Sequence, residues 1–91
     1  MPAVLLSGRL VCRDEVEAAA VRDGLPHHLE LTRAEPGCVS FEVRATADPL
    51  VWLVEELFVD AEAFEAHTVR AAASEWGRAT TGIERRYVVS R

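Results

Sequence analysis

The hydrophobic period of this chain alternates between two residues and three-to-four residues, in the order strand, helix, strand, strand, helix, strand. Val4 to Cys12 reads as a strand, with Val4, Leu6, Gly8, Leu10 and Cys12 on one face and Leu5, Ser7, Arg9 and Val11 on the other. Gly8 in mid-strand implies that something large comes close on the first face. Asp14 is placed to cap a helix opening on Glu15 and Glu17, where negative charge suits the helix dipole. Gly24 is expected to end or kink that helix. Pro26 then starts a second helical piece running to about Ala34, and Pro36-Gly37 stops it.

Cys38 to Arg44 reads as a second strand, with Val39, Phe41 and Val43 on one face. Thr46 to Pro49 is a turn, so the third strand, Leu50 to Phe58, is the antiparallel neighbour of the second. Asp60 caps a helix over Ala61 to about Ala73, with Phe64, His67, Ala71 and Ser74 on one stripe. Ser74 to Thr80 is a looser helical or turn segment. Ile83 to Val89 is the last strand, with Ile83, Arg85, Tyr87 and Val89 on one face. This βαββαβ order predicts an α+β, ferredoxin-like fold: a four-stranded antiparallel sheet with both helices on one face. At 91 residues the chain is read as one domain, 1–91.

Such a sheet needs apolar residues on one face only, yet both faces carry them. Leu53 and Leu57 oppose Val54 and Phe58, and Leu5 and Val11 oppose Leu6 and Leu10. The second apolar face predicts burial against another sheet, and a second copy of the chain supplies one. The expectation is a homodimer through the sheet face, a dimeric α+β barrel.

Composition narrows the function classes. Net charge is −5 and the pI about 5.1, which argues against nucleic acid and against a polybasic membrane anchor. No apolar run is long enough to span a membrane, and the opening MPAVLLSGR lacks the basic start of a signal peptide. All ten basic residues are Arg, and there is no Lys, Asn or Gln. That bias suggests a GC-rich, bacterial genome. Cys12 and Cys38 have neither redox-pair nor zinc-knuckle spacing and fall at opposite ends of the predicted sheet. They read as two reduced thiols of a cytoplasmic protein. No phosphate loop, nucleotide fingerprint or GxSxG is present, so no organic cofactor is expected.

The chemistry-bearing segment is Val51 to His67, VWLVEELFVDAEAFEAH. Trp52, Val54, Glu56 and Phe58 alternate to one face of the strand. If that face looks at the helices, Glu56 and His67 meet in the cavity between sheet and helices. A carboxylate facing an imidazole there can fix its tautomer and tune its pKa for proton transfer, or can serve as a helix-to-sheet hydrogen bond. Of His27 and His28, adjacent on a helix, only one can face the cavity. A metal site built from either with His67 lacks HxxxH or ExxH spacing, so no metal is expected. Trp52 and Trp76 are either core or the walls of a flat pocket for an aromatic ligand. Arg85 and Tyr87 share the cavity-side parity. Arg85 is placed to hold an anion there, or to pair with Glu42, Glu55 or Glu84 at the sheet rim.

Leu31 to Val43, LTRAEPGCVSFEV, and Glu55 to His67, EELFVDAEAFEAH, resemble the antibiotic biosynthesis monooxygenase family, which includes proteins described as quinol monooxygenases. The matching positions are Glu35-Pro36-Gly37-Cys38, Glu56 with Phe58, Ala63-Phe64 and His67. The resemblance extends to Leu25-Pro26-His27-His28 and to Ile83, Arg85 and Tyr87, and favours His28 as the inward histidine. It implies a dimeric α+β barrel with a pocket in each subunit. It also implies chemistries that include cofactor-free oxygenation of phenolic polyketides, quinol oxidation, isomerisation and haem degradation. The Asn used by the haem-degrading branch and by a polyketide oxygenase of the family has no counterpart here, since the chain has no Asn. The expectation that remains is a cofactor-free monooxygenase of a phenol, quinol or anthrone-like aromatic. In it His67, oriented by Glu56, takes the proton. Trp52, Phe64 and Trp76 wall the ring, and Arg85, His28 or Tyr87 stabilises the anion. A non-oxidative isomerase, a dimeric small-molecule-binding module and a haem binder are the competing readings.

Overall fold

The computed structural model describes residues 2–91. Strand β1 (Val4–Val11) is followed by helix α1 (Glu15–Arg33), strands β2 (Cys38–Ala45) and β3 (Val51–Phe58), and helix α2 (Ala61–Ala73). A short helix α3 (Glu75–Ala79) and strand β4 (Glu84–Ser90) complete the order. The strands form one antiparallel sheet in the order β2-β3-β1-β4, with the helices on one face. This is the βαββαβ, ferredoxin-like layout that the periods predict, with Ser74 to Thr80 resolved into a capped helical turn. No helix among the described residues is long and apolar enough to cross a membrane.

Both main helices start on aspartates whose side chains take an orphan backbone N–H. Asp14 accepts from Glu17 N at 3.0 Å and Asp60 from Ala63 N at 2.8 Å. Helix α1 departs from the expected break. It runs without interruption through Gly24 and Pro26. Pro26 removes one helical hydrogen bond, a cost of about 3 kcal/mol. Against it stands a stripe in phase across the proline: Ala18, Val21, Leu25, His28 and Thr32 all turn to the core. Burying each large apolar member contributes ~1.5–3 kcal/mol. The stripe outweighs the proline, whose ring points to solvent.

Register fixes what shares the inner face. Glu56 sits between Leu6 of β1 and Phe41 of β2, while Val54 sits between Gly8 and Val43. Val39 is a second correction. A register shift between Cys38 and Ser40 takes it out of line with Phe41 and Val43, and it is exposed. The group that approaches Gly8 is backbone: a Cβ there would collide with the Arg86 carbonyl and the Tyr87 Cα of β4. The close pairing of β1 with the edge strand β4 thus depends on that missing side chain. The Gly8→Ala variant is expected to lose about 2–4 kcal/mol of stability, read as a lower urea midpoint with little change in slope.

Candidate active site

A cavity of about 550 Å³ opens between the inner face of the sheet and the three helices. Leu6, Leu10, Val43 and Val54 form its apolar floor, and Phe41 and Glu56 rise beside them from the sheet. Phe64, His67, Thr68 and Ala71 enter from α2, His28 from α1, Trp76 from α3, and Arg85 and Tyr87 from β4. Its size suits one small aromatic molecule.

His67 is 5% exposed. Its Nδ1 lies 2.7 Å from Glu35 Oε1. A carboxylate only accepts, so Nδ1 carries the proton and donates it to Glu35, leaving the Nε2 lone pair free. Nε2 is 3.8 Å from Glu56 Oε1, outside hydrogen-bonding range. The group that orients the imidazole is therefore Glu35, and the expected orienting role of Glu56 is corrected. Glu35 is held in turn. Its Oε2 accepts from Arg70 Nε at 3.3 Å, and Arg70 Nη2 donates at 3.0 Å to the hydroxyl of Thr32, which is fully buried.

Local sequence explains the arrangement. Glu35 lies in the α1–β2 loop, where Cys38 N donates to Glu35 O and Val59 N to Gly37 O. A side chain at Gly37 would overlap Ala63 in the first turn of α2. Without one, the loop presses onto α2 and brings Glu35 to His67. Arg70 reaches the same carboxylate from one turn further along α2. Residue spacing within α2 marks Arg70 as a neighbour of His67. The partnership with Glu35, 32 residues away in the chain, needs the packed loop.

Burial shifts the titrating groups of the cavity. Burial lowers the His67 pKa, opposed by its hydrogen bond to Glu35, so the ring is a neutral base. Burial, then the Glu35 charge, pushes Glu56 up to about 7, with Arg85 opposing. His28 is lowered to about 4, first by burial and then because protonating it would place a cation beside His67 and Arg70, so it is also neutral. Burial raises Tyr87 to about 12. His28 is on the inward stripe of α1, whereas His27 points outward beside Glu30 at 3.8 Å. The His28 ring stacks on Trp76, centroids 4.5 Å apart and planes 4° from parallel, and meets the edge of Phe41.

Arg85 donates through Nη1 to the carbonyls of Thr80 (2.7 Å) and Ile83 (3.0 Å), and through Nη2 to the Thr80 hydroxyl (2.8 Å). None of the three acids weighed as its partner pairs with it. Glu42 goes to Arg33 and Glu84 to Arg86, and Glu55 is on the opposite face of the sheet. Trp52 is a further correction. It packs against the core but does not line the cavity, whose floor at that level of the sheet is its β1 partner Leu10. Its indole N–H is buried without a partner among the described residues. Among those residues no group of three or more His, Cys, Asp or Glu side chains is arranged to hold a metal ion.

A family profile described as antibiotic biosynthesis monooxygenase matches residues 13–79. No curated protein matches the chain in sequence. Among solved structures, SnoaB from Streptomyces nogalater, described as a cofactor-independent oxygenase, is similar with a TM-score of 0.81 at 12% identity. That match covers 100% of this chain and 93% of that one. A Nitrosomonas europaea protein, provisionally given the same family designation, scores 0.81 at 18% identity, covering 99% and 97%. Rv0793 from Mycobacterium tuberculosis scores 0.76 at 21% identity, covering 99% and 94%. At such identities these likenesses carry the fold alone.

The raised pKa of Glu56 has a stability consequence. Between its unfolded value near 4.5 and its folded value of about 7 the folded chain holds the extra proton, so stability falls as pH rises through that window. The Glu56→Gln variant removes the titration. It is expected to gain on the wild type by about 2 kcal/mol between pH 4.5 and pH 8, read from urea unfolding at the two pH values.

Proposed function

The chain belongs to the antibiotic biosynthesis monooxygenase family, and from that premise we propose that it oxidises a phenolic, quinol or anthrone-like aromatic with dioxygen, the substrate's own anion supplying the electrons. The observation that carries the reading is the buried His67. It is neutral, its Nδ1–H is committed to Glu35, and its Nε2 is left to accept a proton. For an anthrone the balance is one CH₂ and one O₂ giving one C=O and one H₂O. Nε2 takes a proton from the activated carbon. The resulting anion passes an electron to dioxygen, and radical and superoxide couple to a carbon-bound peroxide, which takes the proton back from His67. Elimination breaks the O–O bond and the remaining C–H bond. The released hydroxide leaves with that hydrogen as water, and Glu56, titrating near 7, relays the proton. Phe64 and Trp76 flank the ring, and Arg85 stabilises the developing oxyanion with His28 and Tyr87 nearby.

Chelator-treated protein is expected to take up oxygen with anthrones or hydroquinones. His67→Ala should abolish uptake. Glu35→Gln, which keeps an acceptor but loses the charge, should cut kcat about 10–100-fold. Unchanged uptake in His67→Ala would remove the histidine from the mechanism. A second reading, a non-oxidative proton shuttle, is favoured by Glu56 lying 3.8 Å from Nε2 with a near-neutral pKa. Product formation without oxygen consumption would select it.

The proposal includes a homodimer joined through the outer face of the sheet. Its support is the apolar content of that face: Leu5 and Leu53 are 42% and 38% exposed, beside Val88 at 68%. Light scattering should give twice the 10.0 kDa chain mass. Leu53→Asp should give the single-chain mass, and a wild-type monomer would overturn the arrangement.

A further inference from the structure

A second cavity, about 560 Å³, lies between α1 and α3 and is lined on α1 by Ala20, Asp23, Gly24 and Leu31. His28 and Trp76 line both cavities. The stacked imidazole–indole pair is therefore a wall with space on either side. The wall is held from several directions. A Cβ at Gly24 would stand 3.2 Å from Trp76 Cε3, so the indole lies directly on the α1 backbone. Ser74 caps α3 by accepting from Gly77 N at 3.2 Å, and Thr80 Oγ1 and N both donate to the Trp76 carbonyl at 2.7 and 3.0 Å. The imidazole is 4% exposed and its Nδ1 has no hydrogen-bond partner among the described residues, so nothing but the stack holds that side of the ring.

We propose that Trp76 is the specificity-determining wall of the site, which closes the space between α1 and α3 and so limits the length of the fused-ring aromatic that the first cavity admits. The inference rests on the aromatic-substrate reading above. Removing the indole joins the two cavities into a slot of roughly double length, floored at one end by Val54 and at the other by the Gly24 backbone. Arg85 lies at one end of that slot and the carboxylates Asp23 and Glu75 at the other, while aromatic and apolar side chains line the length between, so a flat ring system is the ligand it fits. The added rings would take the place of the indole on the face of His28, keeping the stacking contact while relocating its source.

The test uses binding rather than turnover, so that it stands apart from the oxidation chemistry. Lawsone, alizarin and a hydroxynaphthacenequinone supply two, three and four fused rings, and calorimetry gives each Kd. The wild type is expected to bind the four-ring compound at least about tenfold more weakly than the three-ring one, and Trp76→Ala to bring the two within about threefold. Trp76→Phe keeps an aromatic plug and guards against a variant that fails to fold. It should move the ratio in the same direction by a smaller factor. An unchanged ratio in a folded Trp76→Ala or Trp76→Phe protein overturns the proposal, as does four-ring binding by the wild type equal to three-ring binding. Failure of the oxidation reading looks different: the ring-size dependence holds while the corresponding hydroquinones and anthrones consume no oxygen. Binding of none of the compounds by any of the proteins overturns both.

Discussion

The 2.7 Å hydrogen bond from His67 Nδ1 to Glu35 is the constraint from which the site follows. It joins the α1–β2 loop to the second turn of α2, two segments with no helix or strand in common. Three features make it possible. Gly37 lets the loop lie on Ala63, Arg70 neutralises the second carboxylate oxygen, and buried Thr32 fixes Arg70. A lone carboxylate in this position would be costly to bury; shared between an imidazole N–H and a guanidinium, its lone pairs are met and its charge balanced. The outcome for chemistry is a histidine with one tautomer and one free nitrogen, held before any ligand arrives.

Periodicity carried the fold because β1, α1, β2 and β3 each bury one face, and the inner column of β3, Trp52, Val54, Glu56 and Phe58, has the parity read from sequence. It failed where local rules lost to packing. Gly24 and Pro26 look like a break in isolation, yet the stripe of α1 stays in phase across them, and a Cβ at Gly24 would press to 3.2 Å from the indole lying on it. Val39 fails for the opposite reason: one irregular pair in β2 moves a single residue off its face. The site was half legible. Strand and helix parity bring Glu56 and His67 to within 3.8 Å, but the partner that bonds His67 is a loop residue, and loops have no period. Trp52 shares the face of Glu56, and parity says nothing of which strand's side chains on that face reach the cavity.

The electrostatics of the cavity bear on how an anion would be held there. His67, His28 and Tyr87 are all neutral near pH 7, and Glu56 is close to half-protonated. Behind His67 the Glu35 carboxylate is offset by Arg70. Arg85 is the one lining residue that brings a fixed charge; Thr80 and Ile83 bond it through neutral oxygens, and the acid it acts on across the cavity is the half-ionised Glu56. On the proposed reading, moving a proton from a bound phenol or carbon acid to Nε2 creates an ion pair of imidazolium and substrate anion, in a site whose other lining charges are the Arg85 guanidinium and the half-ionised Glu56. Low polarity, which would otherwise penalise ionisation, here strengthens the attraction between the two new charges and draws the anion toward Arg85. Burial thus serves both sides of the transfer. It keeps His67 unprotonated and ready to accept, and once the proton has moved it favours holding the anion beside the guanidinium over returning it to water.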